Sequence, residues 1–402
     1  MSNNRRDFIK GSLLGGAAIA AGTIPGLTVA AEQEKTQKAL DILVLGGTGF
    51  IGPHMVREAL RRGHSVTLFN RGRTNAGLFP DLETIIGDRG GELAGLKNRK
   101  WDAVIDNSGY VPRHVQNSAV TLASNIGQYL FISSISAYAS FAQPNDENSK
   151  LATIKDESIE EVTGATYGAL KALCEKRAHA KVGGDRLTIL RPTYICGPGD
   201  HTDRFSYWPV RTARGGEMLW PGSPQHTIQI IDVRDLANFT IDCLEKNITG
   251  IYNTVTSVGS YAMGDLLEDS QAISSRAVDP VWVDEAFVAD AQESFTAPRW
   301  GMFPIWHSRS GDSVAVSSIS GAHARAAGLN NRPVRETIRD LLAWWNTLPE
   351  DRVTAMQAGM SAEQEADLIA LWKERNARIR RPYFQMRFHQ GAGSGSGLTL
   401  PA

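Results

Sequence analysis

The chain has 402 residues, with 42 basic and 43 acidic side chains, and so carries a net charge of −1. A hydrophobic fraction of 42% and a charged fraction of 21% are typical of a soluble globular protein with an ample core. Near-neutral charge gives no electrostatic reason to expect nucleic acid or an anionic membrane as the main partner. Three cysteines are too few for a disulfide framework or a Cys₄ zinc site. These numbers exclude disulfide scaffolds, collagen, coiled coils, disordered chains and polytopic membrane proteins.

Residues 1–31 have the layout of an export signal. Arg5 and Arg6 are followed by Phe8-Ile9-Lys10, and an uncharged segment then runs from Gly11 to Ala31. This start resembles a twin-arginine signal, which predicts passage through the twin-arginine translocase and a periplasmic or otherwise extracytoplasmic protein. An uncleaved membrane anchor is the alternative, but a segment rich in Gly, Ala and Thr inserts weakly. We expect cleavage near Ala31 and no stable membrane span.

From Asp41 onward, short apolar runs alternate with segments of helical periodicity. Strands are predicted at residues 42–45, 65–69, 84–86, 103–105, 129–132 and 187–190, and helices near residues 53–62, 111–125 and 167–181. Such alternation predicts an α/β fold with a doubly wound parallel sheet, the Rossmann fold, over residues 40–196.

The chain changes in composition after the sixth predicted strand. Residues 197–330 are rich in Gly and Pro and contain five of the nine tryptophans. This change predicts that most of the segment forms a smaller substrate lobe. Amphipathic patterns at 335–348 and 362–376 predict helices within residues 331–390. Residues 391–402 contain a Gly/Ser run and are predicted to form a flexible tail.

A glycine-rich turn follows the first predicted strand. Gly46, Gly49 and Gly52 have the spacing that permits a tight turn, close approach of a pyrophosphate and close packing of the next helix. The positive end of that helix then faces the phosphates. The predicted dinucleotide contacts in this turn are Gly46, Thr48, Gly49, Phe50, Ile51 and Gly52.

The end of the second strand bears on the choice of dinucleotide. A carboxylate at this point typically binds the ribose 2′-hydroxyl of NAD, whereas arginine accommodates the 2′-phosphate of NADP. The chain has Asn70, Arg71 and Arg73 here and no acidic residue. The sequence therefore favours NADP, with NAD as the alternative and solvated loop arginines as the structural explanation.

Tyr167 and Lys171 lie four residues apart in a predicted helix, so both side chains leave the same face. A nearby ammonium would lower the pKa of the tyrosine and fit it for proton exchange with a hydroxyl or carbonyl group. An ordinary surface pair is the alternative. Ser134 follows the fifth strand, at the edge of the sheet where ligands bind in doubly wound folds.

Together these motifs resemble the extended short-chain dehydrogenase/reductase superfamily, in its NAD(P)-dependent epimerase/dehydratase family, from about Asp41 to Ala237. The resemblance implies catalytic roles for Ser134, Tyr167 and Lys171. It further implies an adenine contact by Asp88, a nicotinamide-ribose contact by Lys171, and a nicotinamide wall from Pro192 and Thr193. Asn107 and Ser108 replace the usual run of small residues after the fourth strand, and we include both as cofactor contacts.

The predicted function is hydride transfer on a secondary alcohol or ketone of a sugar-like small molecule, with Tyr167 transferring the proton. Export favours a tightly bound cofactor that is regenerated within each turnover. The alternatives are a net NADP-dependent dehydrogenase or reductase, or an idle cofactor- or nucleic-acid-binding relative, such as the plastid RNA-binding branch. We predict no metal site, because His201, His226 and His307 lack ligand spacing. Homodimer formation stays open.

Overall fold

The computed structural model describes residues 38–389, with side chains up to residue 378. The predicted signal peptide at 1–31 and the predicted tail at 391–402 lie outside the described residues. The strands are β1 (Asp41–Leu45), β2 (Ser65–Asn70), β3 (Thr84–Ile86), β4 (Trp101–Asp106), β5 (Ile126–Ile132), β6 (Leu187–Pro192), β7 (Tyr194–Cys196), β8 (Gly216–Pro221), β9 (Ile230–Asp232), β10 (Gly250–Thr254) and β11 (Val278–Val283). The α-helices are α1 (Gly52–Arg61), α2 (Pro112–Leu122), α3 (Tyr167–Val182), α4 (Tyr207–Thr212), α5 (Val233–Glu245), α6 (Met263–Ser274), α7 (Glu285–Ser294), α8 (Ala322–Ala326), α9 (Val334–Trp345), α10 (Glu350–Thr354) and α11 (Ala362–His389).

A seven-stranded parallel sheet with the order β10-β6-β5-β4-β1-β2-β3 organises the larger part of the molecule. Successive residues of β1 point to opposite faces: Ile42 and Val44 pack beneath α1 and α5, while Leu43 and Leu45 pack beneath α2 and α3. Burial on both faces explains why these strands are continuous apolar runs. The predicted doubly wound sheet is confirmed.

The sheet differs from the prediction at one edge. Its seventh strand, β10, pairs with β6 and comes from the segment that composition assigned mainly to the substrate lobe. Helix α5, from the same segment, packs against α1 on one face of the sheet. The chain therefore leaves the sheet after β6, forms part of the lobe, returns with α5 and β10, and leaves again.

The substrate lobe has its own apolar core, built between the parallel pairs β8–β11 and β7–β9 and helices α4, α6, α9 and α11. Trp208 and Trp220 are fully buried in it, with ring centroids 4.7 Å apart. Most tryptophans of this segment are thus core residues, whereas Trp300 is 38% exposed. Across residues 38–389, no helix combines the length and apolarity that a bilayer span requires.

Candidate active site

The turn after β1 has the geometry that a dinucleotide requires. Gly46 has a φ angle of +102°, and a Cβ atom on Gly52 would lie 2.7 Å from the backbone of Gly47. A Cβ atom on Gly49 would instead meet nothing within 4 Å. One glycine thus permits the turn, one permits helix packing, and Gly49 leaves open space beside the backbone, where a pyrophosphate could approach.

Backbone donors surround that open space. Helix α1 begins after Ile51 without a side-chain cap, and the amides of Gly49, Phe50 and Ile51 make no hydrogen bond within the described part of the chain. Free amides at a helix N-terminus attract anionic groups. The Phe50 ring packs edge-on against His54 and His201. Thr48 is buried, and its carbonyl accepts from the Asn75 side chain. The cradle therefore fits a dinucleotide.

The side chains after β2 have two kinds of surroundings: one is hydrogen-bonded within the turn, and the arginines are exposed to solvent. Asn70 accepts the Gly72 amide at 2.8 Å and so closes the turn. Arg71 and Arg73 are exposed, and neither forms an ion pair within residues 38–378. Both arginines lower the pKa of the Asp88 carboxyl, although the Gly90 amide, at 2.7 Å, does so more strongly. Asp88, Arg71 and Arg73 thus face one edge of the cofactor cradle.

Asn107 and Ser108 follow β4 but have different surroundings. The Asn107 amide lies so close to the glycine turn that Cβ atoms on Gly46 and Gly52 would come within 2.7 and 2.8 Å of it. The Ser108 hydroxyl donates to the Leu45 carbonyl at 3.0 Å. A Cβ atom on Gly46 would also lie 2.7 Å from the Cβ atom of Ser108, so both residues shape the cradle, and Ser108 in addition joins the ends of two strands.

The structure contains a buried ion pair beneath this region that the sequence did not predict. Arg89 donates to both carboxylate oxygens of Asp106, at 2.7 and 2.5 Å, and the Tyr129 hydroxyl adds a third bond at 2.6 Å. Asp106 is fully buried. The available signal was an acidic residue at the end of an apolar strand, since such a group must be paired when it is buried.

Ser134 and Tyr167 meet at the carboxyl end of β5. The Ser134 hydroxyl acts on the Tyr167 hydroxyl and lowers its pKa, although burial raises that pKa overall. Gly168 makes the meeting possible, because a Cβ atom here would overlap with the Ser136 carbonyl oxygen. Gly168 is not among the predicted site residues, because it lies within a helix and has no side chain that would indicate a function.

Lys171 differs from the sequence expectation. Its side chain is 2% exposed, and its ammonium donates to the carbonyls of Gly109 at 2.8 Å and Ile132 at 2.7 Å. Burial lowers the pKa of Lys171 to about 8. The cation that lowers the pKa of Tyr167 is Arg204. An ammonium has three donors, so one remains for a ribose hydroxyl.

Helix α3 is fixed to the sheet by a second buried pair. Glu175, one turn beyond Lys171, accepts from Arg191 at 3.0 and 2.7 Å and from the Ser133 hydroxyl at 2.5 Å. Arg191 is 1% exposed and Glu175 is 3% exposed. The four-residue spacing continues the polar face of Tyr167 and Lys171 and could have revealed Glu175 from the sequence.

Pro192 and Thr193 come directly after Arg191 in the chain. Pro192 ends β6, opposite Thr254 of β10, and the Thr193 hydroxyl donates to the Gln229 carbonyl at 3.1 Å. The two residues therefore form a fixed, buried edge at the carboxyl end of the sheet. The structure thus places all the predicted site residues along this edge or in the turns after β1 and β2.

The model of the NAD dependent epimerase/dehydratase family matches residues 42–259, more than half of the chain. The chain belongs to this family. The family resemblance of the sequence motifs is thereby confirmed, and with it an NAD-binding Rossmann fold that contains the glycine turn.

Two curated relatives have different activities in their names. The chloroplast stem-loop binding protein of 41 kDa b of Arabidopsis thaliana is 26% identical over 245 residues, or 56% of this chain and 60% of the relative. The 2-alkyl-3-oxoalkanoate reductase of Stenotrophomonas maltophilia is 30% identical over 182 residues, or 40% of this chain and 52% of the relative. The chain thus spans little more than half the length of these relatives. The family and the reductase support an oxidoreductase-type enzyme.

Solved structures share the fold. The Bordetella bronchiseptica enzyme WbmG, in complex with NAD, aligns with a TM-score of 0.57 at 16% identity, covering 81% of this chain and 98% of that one. The UDP-N-acetylglucosamine 4-epimerase of Bacillus cereus aligns with a TM-score of 0.52 at 16% identity, covering 76% and 99%. At this identity the likeness concerns the fold alone.

Proposed function

We propose that the protein is an NAD(P)-dependent epimerase/dehydratase-type enzyme that acts on a secondary alcohol or ketone of a sugar-like small molecule. The observation that carries the proposal is the close packing of the start of α3 on the segment after β5, at Gly168 and Ser136, which brings Tyr167 near Ser134 at the same edge of the sheet as the glycine turn. When bound there, the nicotinamide would take up and return a hydride. Structural neighbours that bind NAD, and in one case UDP, support small-molecule chemistry at this edge.

Side chains of the protein would transfer the proton to and from the substrate oxygen. Tyr167 keeps its proton at neutral pH, because burial raises its pKa. Its hydroxyl would donate the proton to a substrate carbonyl oxygen as the carbon gains hydride, and the tyrosinate left behind would accept the proton of a substrate hydroxyl in the reverse direction. Ser134 would hydrogen-bond the same oxygen in both directions. Lys171 would bind the nicotinamide ribose through its remaining donor. Arg89–Asp106 and Arg191–Glu175 hold the strand ends on either side in place.

We further propose that the cofactor stays bound between turnovers. Arg5 and Arg6 suggest export after folding, and a loosely held cofactor would be lost in a compartment that does not replenish it. Retention requires sub-micromolar affinity, on the order of −8 kcal/mol or better. Purified mature protein should therefore release a nicotinamide dinucleotide on denaturation, as measured by mass spectrometry, and act without added cofactor. Protein that is empty and needs stoichiometric NADP(H) would instead be a net dehydrogenase.

Export itself is tested at the paired arginines. Replacing both Arg5 and Arg6 by lysine should leave the protein in the cytoplasm, because the twin-arginine receptor reads the pair and not merely its charge. Fractionation followed by immunoblotting measures the distribution, with Lys10→Arg as a control outside the pair. Unchanged export of the double variant would refute the signal.

We favour NADP over NAD because of Arg71 and Arg73. The double variant Arg71→Ala/Arg73→Ala should weaken NADP binding by roughly tenfold to a hundredfold and NAD binding much less, since only NADP carries the 2′-phosphate. Fluorescence titration with the two reduced dinucleotides measures both affinities. Arg276→Ala, which removes an exposed arginine from the lobe, is the control. Equal losses for both cofactors would show that the arginines do not discriminate.

Nucleic-acid binding is the second candidate, favoured by the similarity to the stem-loop binding protein. The net charge of −1 and the assembled Ser134, Tyr167 and Lys171 support the enzyme instead. A salt-dependent complex with stem-loop RNA, in protein without bound dinucleotide or turnover, would reverse this preference.

A further inference from the structure

Arg204 is a cation without an acidic partner beside Tyr167. It lies in the loop between β7 and α4 and is half-buried, yet it forms no ion pair with any side chain of residues 38–378. It acts electrostatically on both Tyr167 and Tyr110, whose rings lie 6.4 Å apart at the entrance to the site. A half-buried, unpaired charge is costly unless a ligand neutralises it.

The guanidinium is held in one orientation before any ligand binds. Its central carbon lies 5.0 Å from the Tyr194 ring centroid and 5.3 Å from that of Trp300. Its Nε donates to the Thr202 hydroxyl at 3.0 Å. The two terminal nitrogens make no hydrogen bond within the described part of the chain and are therefore free to bind a planar or tetrahedral anion.

The two neighbouring carboxylates do not form an ion pair with Arg204. Asp203 is fully buried and accepts from Arg352, at 3.0 and 2.5 Å, and from the Gln357 amide at 2.8 Å. Asp200 is also buried, and one of its oxygens accepts the amide and hydroxyl of Thr202, at 2.8 and 2.6 Å, while its other oxygen makes no hydrogen bond with the residues that the structure describes. Arg204 lowers the pKa of Asp200 through space but forms no ion pair with it. Neither carboxylate lies within ion-pair distance of Arg204. The positive charge of Arg204 is therefore left for a ligand.

The aromatic side of the site is neutral. The Tyr194 hydroxyl and His307 Nε2 lie 2.6 Å apart, with their rings stacked. Burial lowers the pKa of His307 to about 4 and raises that of Tyr194, so this hydrogen bond joins a neutral phenol and an uncharged imidazole. Trp300 is 38% exposed on the other side of the guanidinium. Arg204 thus lies among neutral, aromatic side chains.

We propose that Arg204 binds an anionic group of the substrate, a carboxylate or a phosphate, and so sets the distance from that group to the carbon that reacts beside Tyr167. The proposal rests on the proposed function and narrows it, because the sugar-like substrate is then an acid. Neutral sugars of the same size would lack the charged contact and bind weakly.

The test is a binding measurement that requires no turnover. Protein loaded with dinucleotide is titrated calorimetrically with glucuronate, glucose 6-phosphate and neutral glucose. At least one anionic probe should bind more tightly than glucose, and Arg204→Gln should weaken that probe by roughly tenfold to a hundredfold while leaving glucose unchanged. Arg204→Lys keeps the charge and should restore part of the affinity. The preferred probe distinguishes a carboxylate site from a phosphate site.

Arg299→Gln is the matched control. Arg299 contacts the same Trp300 ring, also at 5.3 Å, but is exposed, so its loss should leave anion binding intact. Equal binding of all three probes, no binding of either anion at millimolar concentration, or equal losses in the Arg204 and Arg299 variants would overturn the proposal. Thermal melting shows whether each variant folds. Failure to bind dinucleotide, measured separately, would refute the proposed function and not the anion site.

Discussion

Replacing Tyr167 by phenylalanine is expected to lower turnover by roughly 10²- to 10⁴-fold while the dinucleotide stays bound. The phenylalanine ring occupies the same half-buried space at the start of α3, so the packing over Gly168 and Ser136 persists. The substitution removes only the hydroxyl on which Ser134 acts. Without that hydroxyl, no positioned group exchanges a proton with the substrate oxygen.

Single-turnover kinetics measure the loss of rate, and mass spectrometry of the released nucleotide shows whether the dinucleotide stays bound. Tyr252→Phe is the control, because the hydroxyl of this β10 residue donates to the Thr249 carbonyl just before the strand begins, away from Ser134. Its rate should match that of the unaltered protein. A Tyr167→Phe protein with a normal rate would assign proton transfer to another group, and one that loses its nucleotide would make Tyr167 a binding residue.

Replacing Glu175 by glutamine is expected to reduce the free energy of unfolding by about 3–5 kcal/mol. Glutamine keeps the size of the side chain but removes the charge that neutralises Arg191 in a fully buried position. The arginine cannot give up its proton, so its charge would remain buried without an ionic partner. Because the pair joins α3 to β6, Tyr167 should also lose its alignment with the sheet.

Chemical denaturation measures this loss, and an exposed pair of the same geometry provides the comparison. Glu83 accepts from Arg99 at 2.5 and 2.9 Å, yet both side chains are exposed by more than a third. Solvent screens such a pair, so Glu83→Gln should cost no more than about 1 kcal/mol. Similar losses in the two variants would mean that burial does not control the strength of the Arg191 pair.

Local sequence signals were enough for most of the sheet. Strands with both faces buried are continuous apolar runs, and the glycine turn after Leu45 has a spacing that few other structures need. The four-residue spacing of Tyr167 and Lys171 put both side chains on one helix face. These features depend on neighbours within a few residues, which is why they could be predicted from the order of residues alone.

The sequence did not reveal where the seventh strand or the two buried ion pairs lie. β10 reaches its place beside β6 only after the chain has passed through part of the lobe, so its partner is distant in the sequence. Arg89–Asp106 and Arg191–Glu175 each join residues from different elements. Their pairing follows from the closing of the sheet and not from any local pattern.

The sequence by itself determined the doubly wound fold, the family and the glycine turn at which we propose that the dinucleotide binds, because periodicity and glycine spacing are properties of neighbouring residues. Only the tertiary structure decided the electrostatics of the site. It directs the Lys171 ammonium to the Gly109 and Ile132 carbonyls, and it brings Arg204 from the substrate lobe to act on Tyr167. The physical reason is that burial and charge act through space, between groups that the chain joins only when it is folded.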